Sequence, residues 1–186
     1  GFVLGDLLAG AWERVATPTA RSSERAAGQG SFPLVIRSGN SGGWRFGAQH
    51  SQSVQNWAMA IPGLKVVAPS NPADVIGLFA AAVRDPDPVM FFEPTGLYSS
   101  KGEVPDGEIV DTLGSAKVLR SGADATIVAL AAMVPRAVAA AEILADRGIQ
   151  AGVIDVRSPV PPDPQTLLRE VAATGRLVTV EGNPGP

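Results

Sequence analysis

Short apolar runs and amphipathic stretches alternate along most of this chain. Apolar runs bounded by Gly or Pro predict strands, and apolar residues recurring every three to four positions predict helices. Residues 1–67 contain two predicted helices, two predicted strands and one loop. In chain order, they are a helix over 4–24, a strand over 33–37, a glycine-rich loop over 39–47, a helix over 51–60 and a strand over 64–67. In the second helix, Val54, Trp57 and Ala58 are predicted to face inward.

The helix that follows has a clearly marked start. Asn71 can cap it, Pro72 suits the first helical position, and Asp74 lies in the first turn, where the positive end of the helix dipole favours an acidic side chain. An apolar face then runs through 75–83. The DPDP turn at 85–88 ends this helix, and 89–92 predicts a strand.

A second series of elements follows 94–114, a stretch rich in Gly and Pro that predicts an interdomain linker. Asp163 is the predicted cap of the last helix. The predicted strands are 116–119, 125–129, 153–156 and 177–180, and the predicted helices are 135–147 and 164–173. Alternating strands and helices predict an α/β fold with parallel sheets covered by helices.

Composition narrows the possible functions of the 186-residue chain. Its 45% of apolar residues can bury a core, and its net charge of −3 argues against a nucleic-acid-binding protein. The absence of cysteine excludes disulfides and thiolate chemistry. No apolar run reaches the roughly 20 residues that span a bilayer, so we expect no membrane partner. The absence of cysteine makes a reducing cytoplasm the expected location. Because Gly1 is not Met and Pro186 directly follows a predicted strand, we expect both ends to be truncated.

His50 is the only histidine in the sequence. It lies on the loop that follows the predicted strand ending at Arg37, and sites in open α/β sheets gather at such loops. An imidazole also titrates near neutral pH. From its position alone, His50 is either a functional residue or a surface or capping histidine.

The acidic candidates are weaker than this histidine. Asp85 and Asp87 lie in a tight turn, where aspartate usually accepts hydrogen bonds from backbone amides. Glu181 follows a predicted strand and is either catalytic or a solvated carboxylate. The glycine-rich loop matches neither phosphate-binding motif, so it predicts a flexible connection.

A family resemblance is carried by residues 32–67, which read FPLVIRSGNSGGWRFGAQHSQSVQNWAMAIPGLKVV. This run closely resembles the beta subunit of thiamine-diphosphate-dependent 2-oxo acid dehydrogenases, the E1 components of pyruvate, branched-chain and acetoin dehydrogenases. The resemblance continues through APSNPADVIGLFAAAVRDPDPVMFFEP and then VIDVRSPVPPD and TGRLVTVEG. The AQHSQ block is the most specific part, whereas the C-terminal half is shared with transketolase-like relatives.

The resemblance implies a partial pyrimidine-binding domain over 1–93, a linker over 94–114 and a partial transketolase C-terminal domain over 115–186. It implies oxidative decarboxylation of a 2-oxo acid with acyl transfer to a lipoyl group, in a heterotetramer. We expect this chain to be inactive without an alpha-type E1 subunit and without the segments missing from both its ends. A second beta subunit and the lipoyl domain of the E2 acyltransferase are further implied partners. Thiamine diphosphate and Mg²⁺ would be held mainly by the alpha-type subunit. The alternatives are a component of a split transketolase or of an acyloin-forming thiamine enzyme, or a non-catalytic partner-binding remnant.

The resemblance also assigns residues. His50 falls on the active-site histidine, and Leu7 on a position where an aromatic residue normally packs against the pyrimidine ring. The glutamate that activates the cofactor has no counterpart, since Glu13 does not lie in the matching motif. These two departures favour the non-catalytic alternative. A structural alkali ion, K⁺, held largely by backbone carbonyls, would lie at Leu34, Ala82, Asp85 and Asp87.

Overall fold

The computed structural model describes residues 2–4, 31–40 and 53–182, which form two four-stranded sheets with flanking helices. The first unit comprises β1 (Phe2–Leu4), β2 (Val35–Asn40), α1 (Gln55–Met59), β3 (Lys65–Val67), α2 (Pro72–Arg84) and β4 (Val89–Pro94). The second comprises β5 (Lys117–Arg120), β6 (Ala125–Ala129), α3 (Val134–Ala145), β7 (Ala151–Asp155), α4 (Pro164–Thr174) and β8 (Leu177–Val180). Short 3-10 helices lie at Thr95–Leu97 and Ala131–Met133.

The first sheet is parallel throughout, in the order β1-β2-β4-β3, which confirms the predicted fold class. β2 begins after Pro33, which has no amide to donate to a ladder. It continues through Gly39 and Asn40, predicted as loop, because these residues pair with the end of β4. The predicted helix start at Leu4 is wrong, since Leu4 ends β1 and pairs with Gly39. The remainder of that helix, 5–24, lies outside the described residues.

The core of the first unit is built around β4, all six residues of which are buried. Val54 and Ala58, beside or within α1, are buried as predicted, but Trp57 is 48% exposed, so its predicted inward position is wrong. α1 buries Gln55 and Ala58, which are three residues apart and share one face of the helix. Trp57 follows Gln55 by two positions and therefore points away from that face.

Helix α2 begins where the sequence predicted. The side chain of Asn71 accepts a hydrogen bond from the Asp74 amide at 3.0 Å, and Pro72 occupies the first turn. Asp163 caps α4 in the same way, accepting from the Thr166 amide at 3.0 Å. At the starts of α2 and α4, a polar side chain therefore satisfies a backbone donor that the helix leaves unpaired.

The second sheet has the order β5-β7-β6-β8. β6, β7 and β8 are parallel, but β5 is antiparallel to β7, so the expectation of a purely parallel sheet is wrong for β5. Only residues 121–124 connect β5 to β6. A parallel connection requires a crossover of about a dozen residues or more, so β5 must run the opposite way.

Most other elements of the second unit match the sequence within a few residues. β6 and β8 have the predicted limits, and α3 and α4 lie at the predicted helices. β7 begins two residues earlier than predicted, at Ala151, and ends at Asp155 because all five of its residues pair with β6. In the part of the chain that the structure describes, no helix has the length and apolarity needed to cross a membrane.

The two units contact each other through the carboxyl edge of the second sheet. The Ala68 amide, after β3, donates to the Arg157 carbonyl at 2.8 Å, and Val66 forms an isolated bridge with Val160. The segment 94–114 runs beside α2, where the Asp111 amide donates to the Gly77 carbonyl at 3.0 Å. The division of the chain into domains at 94–114 stays a prediction.

Candidate functional site

The parallel strands of the first sheet end at one edge, the expected location of a ligand site in an open α/β sheet. Leu7 follows β1 and His50 follows β2 in the sequence, on connections that leave this edge. Both residues lie outside the described part of the chain, so the predicted roles of His50 and Leu7 stay predictions. The described part of the edge comes from the connections after β3 and β4.

A cavity of about 370 Å³ opens at this edge, between the start of α2 and the end of β4. Its polar lining comes from Ser70, Asn71, Glu93, Tyr98 and Ser100. Apolar groups form the rest of the wall, namely Pro69, Pro72, Val75, Ile76, Pro94 and Leu97. A mostly apolar cavity with a few polar groups is typical of small-molecule sites.

Glu93 organises one wall of this cavity. Its two carboxylate oxygens accept hydrogen bonds from Arg37 Nε at 2.5 Å and from the Tyr98 hydroxyl at 3.1 Å. Burial, reinforced by the charge of Glu93, raises the pKa of Tyr98 to about 12. The hydrogen bond to Glu93 raises the pKa of Arg37. The hydroxyl is therefore neutral near pH 7 and acts as a fixed donor rather than as a base.

The opposite wall leads into a buried polar cluster between the two units. Ser70 donates to Asp155 Oδ2 at 2.5 Å, and Asn71 Nδ2 donates to Asp74 Oδ2 at 2.6 Å. Arg157 Nε lies 3.6 Å from Asp74 and its guanidinium also contacts Asp111. Burial raises the pKa of Asp155 to about 7 and lowers that of Arg157.

The sequence analysis missed this cluster. Asp155 and Arg157 lie in the VIDVRS block, which we used only for its family resemblance. An acidic residue at the end of an otherwise apolar strand is an unusual buried position and could have identified Asp155 as a candidate. Its partner, Ser70, is 85 residues away in the sequence, and no local pattern connects the two.

The residues of the predicted alkali-ion site lie at the other end of the first sheet. Lys65 Nζ is 2.7 Å from Asp85 Oδ1 and 3.3 Å from Asp87 Oδ2. Asp85 also accepts from the Asp87 amide at 2.9 Å, as expected for a tight turn. The Leu34 and Ala82 carbonyls accept from the Val89 and Asp85 amides at 2.9 and 3.3 Å.

These oxygen donors suit a hard cation such as K⁺, and a carbonyl can accept a second interaction. However, the ammonium of Lys65 already faces both carboxylates. Among the described residues, no group of three or more His, Asp or Glu side chains could hold a metal ion. Any bound alkali ion would therefore depend on the backbone carbonyls, and this site stays a prediction.

Glu181 lies apart from the cavity. It is exposed directly after β8 and borders a separate shallow cleft together with Met59 and Pro159. The structure thus does not bring Glu181 together with Glu93 or Ser70, and its catalytic role stays open.

Two family models match the chain. Residues 10–101 match the pyrimidine binding domain of transketolase, and residues 114–185 match the transketolase C-terminal domain. The chain is 42% identical to the beta subunit of acetoin:2,6-dichlorophenolindophenol oxidoreductase from Cupriavidus necator, over 95% of this chain and 52% of that protein. It is 43% identical to the mitochondrial pyruvate dehydrogenase E1 component subunit beta-1 of Arabidopsis thaliana, over 91% of this chain and 48% of that protein.

The chain spans about half the length of the curated relatives it matches. Among solved structures, a split-gene transketolase described as an inactive beta4 tetramer is 27% identical, with a TM-score of 0.80 over 97% of this chain and 56% of that chain. A transketolase from Pichia stipitis has a TM-score of 0.66 at 19% identity, over 97% of this chain and 26% of that chain. The latter likeness supports the fold alone.

Proposed function

Because this chain belongs to the transketolase-like family, whose members use thiamine diphosphate, we propose that it is the beta-type component of a 2-oxo acid dehydrogenase. The observation that most strongly supports this proposal is the 42% identity to the acetoin oxidoreductase beta subunit over 95% of the chain. The proposed assembly contains an alpha-type E1 subunit and a second beta subunit. It would oxidatively decarboxylate a 2-oxo acid and transfer the acyl group to the lipoyl domain of an E2 acyltransferase, in the cytoplasm.

The proposed cofactor side of this chain is the carboxyl edge of the first sheet. When bound, thiamine diphosphate supplies the carbon centre that stabilises the carbanion formed on decarboxylation, and its Mg²⁺ belongs to the alpha-type subunit. His50 is the proposed proton carrier, since an imidazole transfers protons efficiently near neutral pH. Leu7 is proposed to pack against the pyrimidine. The hydrogen bonds that join Arg37, Glu93 and Tyr98 support a cofactor site at this edge, because they fix one wall of the cavity there.

Reconstitution with an alpha-type subunit tests the proposal. We expect a beta subunit of the relatives' length that contains this chain, mixed with the alpha-type subunit, thiamine diphosphate and Mg²⁺, to reduce a dye acceptor when acetoin or a 2-oxo acid is supplied, and neither subunit to do so alone. His50→Ala should lower acyl transfer to a lipoyl domain by about 100-fold or more, the usual contribution of a positioned acid or base, with cofactor affinity largely kept. Full transfer by His50→Ala would remove its proposed role.

The same reconstitution separates the alternative functions. A split transketolase is favoured by the structural similarity to a split-gene transketolase, and it would transfer a two-carbon unit between sugar phosphates without reducing the dye. An acyloin-forming enzyme would release a hydroxyketone. Binding of the alpha-type subunit without binding of thiamine diphosphate would contradict the enzyme proposal and support a partner-binding remnant.

We also propose that Leu34, Ala82, Asp85 and Asp87 hold a K⁺ ion. A ligand that binds only the folded state raises its stability, so the melting temperature should be higher in KCl than in tetramethylammonium chloride at equal ionic strength. The control is Asp146→Asn, at an exposed position in the second unit, which should keep the difference. Identical melting temperatures in the two salts would contradict the site.

A further inference from the structure

We propose that Asp155 is a proton-controlled latch between the two units, which dock tightly while its carboxyl is protonated and loosen when it ionises. The proposal concerns the junction of the two sheets and does not depend on the proposed enzymatic function. It rests on the position of Asp155, on the charges around it and on the adjacent hydrogen bonds that join the units.

The carboxyl of Asp155 lies inside the junction. Asp155 ends β7 in the second unit and is fully buried. Its Oδ2 accepts from Ser70, which belongs to the first unit, and its Oδ1 accepts from the Arg157 amide at 3.0 Å. A change in charge on Asp155 therefore acts where the second unit meets the first.

The surrounding charges balance only when Asp155 is neutral. Asp74 approaches from α2 and Lys117 pairs with Asp155 from β5, while Arg157 follows β7 and Asp111 approaches from the segment beside α2. Two cations thus face two carboxylates when Asp155 is protonated. Ionised Asp155 adds a third negative charge at a fully buried position, where an uncompensated charge is costly.

The hydrogen bonds that join the units lie within a few residues of this carboxyl. The Arg157 carbonyl accepts from the Ala68 amide at 2.8 Å, and the Val160 carbonyl accepts from the Val66 amide at 2.7 Å. Solvation of ionised Asp155 therefore weakens these contacts between the units. Ionisation of Asp155 thus changes the strength of the contacts that hold the two units together.

The direction of the pH dependence follows from the shift of Asp155. Its pKa is raised by burial from 3.8 to about 7 in the folded protein. The stabilisation from protonated Asp155 is therefore fully present below pH 3.8, the pKa of this carboxyl in the unfolded chain. It decreases as the pH rises from there and is lost above about pH 7. With these folded and unfolded pKa values, the folding equilibrium constant falls about thirtyfold between pH 5.5 and pH 8.5.

Urea unfolding at the two pH values tests this dependence. Asp155→Asn keeps the size of the side chain, with an oxygen that can accept from the Arg157 amide and an NH2 group that can donate to the Ser70 hydroxyl, but removes the charge. We expect the thirtyfold decrease in the wild type and in the exposed control Asp146→Asn, but not in Asp155→Asn. His50 is present in all three proteins, so its contribution is common to them. A wild type without the decrease, or Asp155→Asn with the full decrease, overturns the proposal.

A thiol reporter tests whether the titration acts on the junction. The chain has no cysteine, and Ser158, next to Arg157, is fully buried. Two proteins that both carry Ser158→Cys are compared at pH 8.5. The one that keeps Asp155 should react with a maleimide about tenfold faster than the one that also carries Asp155→Asn. Equal rates would mean that Asp155 titrates without opening the junction, which overturns the latch.

Ser70→Ala provides an independent test if Asp155→Asn does not fold. The hydrogen bond from Ser70 lowers the pKa of Asp155 and so opposes the effect of burial. Its removal should move the midpoint of the stability decrease to higher pH. An unmoved midpoint would show that the carboxyl is not titrating in contact with Ser70, and would overturn the proposal.

Discussion

Gly122→Ala is expected to lower the free energy of unfolding by about 3 kcal/mol or more, at the upper end of overpacking costs. A Cβ atom at Gly122 would lie 2.0 Å from the amide nitrogen of Gly152 and 2.5 Å from the carbonyl carbon of Ala151. Both are backbone atoms of β7, so no side chain can rotate away. The connection between β5 and β6 would have to move away from β7, and urea unfolding followed by circular dichroism measures the loss.

Two glycines provide matched controls for this substitution. At Gly182 the nearest atom to an added Cβ is 4.0 Å away, so Gly182→Ala should be nearly neutral. Gly148 has a φ of +79° with open space around it, so Gly148→Ala isolates the backbone cost of about 1–2 kcal/mol. If Gly122→Ala lies within about 0.5 kcal/mol of Gly182→Ala, the range for ordinary surface changes, the close approach of the β5–β6 connection to β7 is wrong.

Arg157→Met is expected to destabilise the protein by about 3 kcal/mol, because it removes one partner of a buried ion pair. The Arg157 side chain is 5% exposed and that of Asp74 is 2% exposed. Met keeps much of the apolar stem but cannot compensate the charge of Asp74 or of Asp111. Asp74 would keep its hydrogen bond from Asn71 and its ion pair with Lys117 at 3.6 Å, which limits the loss. The free energy of unfolding at pH 6, where Asp155 is mostly protonated, is the measurement.

A double-mutant cycle with Asp74→Asn separates the ion pair from loss of packing. If Arg157 mainly compensates Asp74, the double variant should lose clearly less stability than the sum of the single variants. Arg136 is exposed on α3, so Arg136→Met is the matched control and should change stability by less than about 0.5 kcal/mol. Additive losses in the cycle would mean that the two side chains act independently.

Local sequence chemistry was sufficient to locate many of the elements. Asn71 and Asp163 predicted two helix starts that the structure confirms, since capping depends on residues within one turn. The strands β6 and β8 have the predicted limits, because each is a short apolar run that turn residues bound on both sides. The family resemblance, carried by the AQHSQ and PGLKVV blocks, also came from sequence alone and agrees with the family models and relatives.

Features that depend on pairing between distant segments were not predictable in this way. Gly39 extends β2 only because β4 lies beside it, and Trp57 is exposed because the short α1 buries its other face. The cluster of Ser70, Asp155 and Arg157 forms when the carboxyl edge of the second sheet meets the first unit. The charge and hydrogen-bonding capacity of each residue follow from the sequence. Burial is a property of the packed molecule. It raises the pKa of Asp155, and it makes the charge of Asp74 depend on compensation by Arg157.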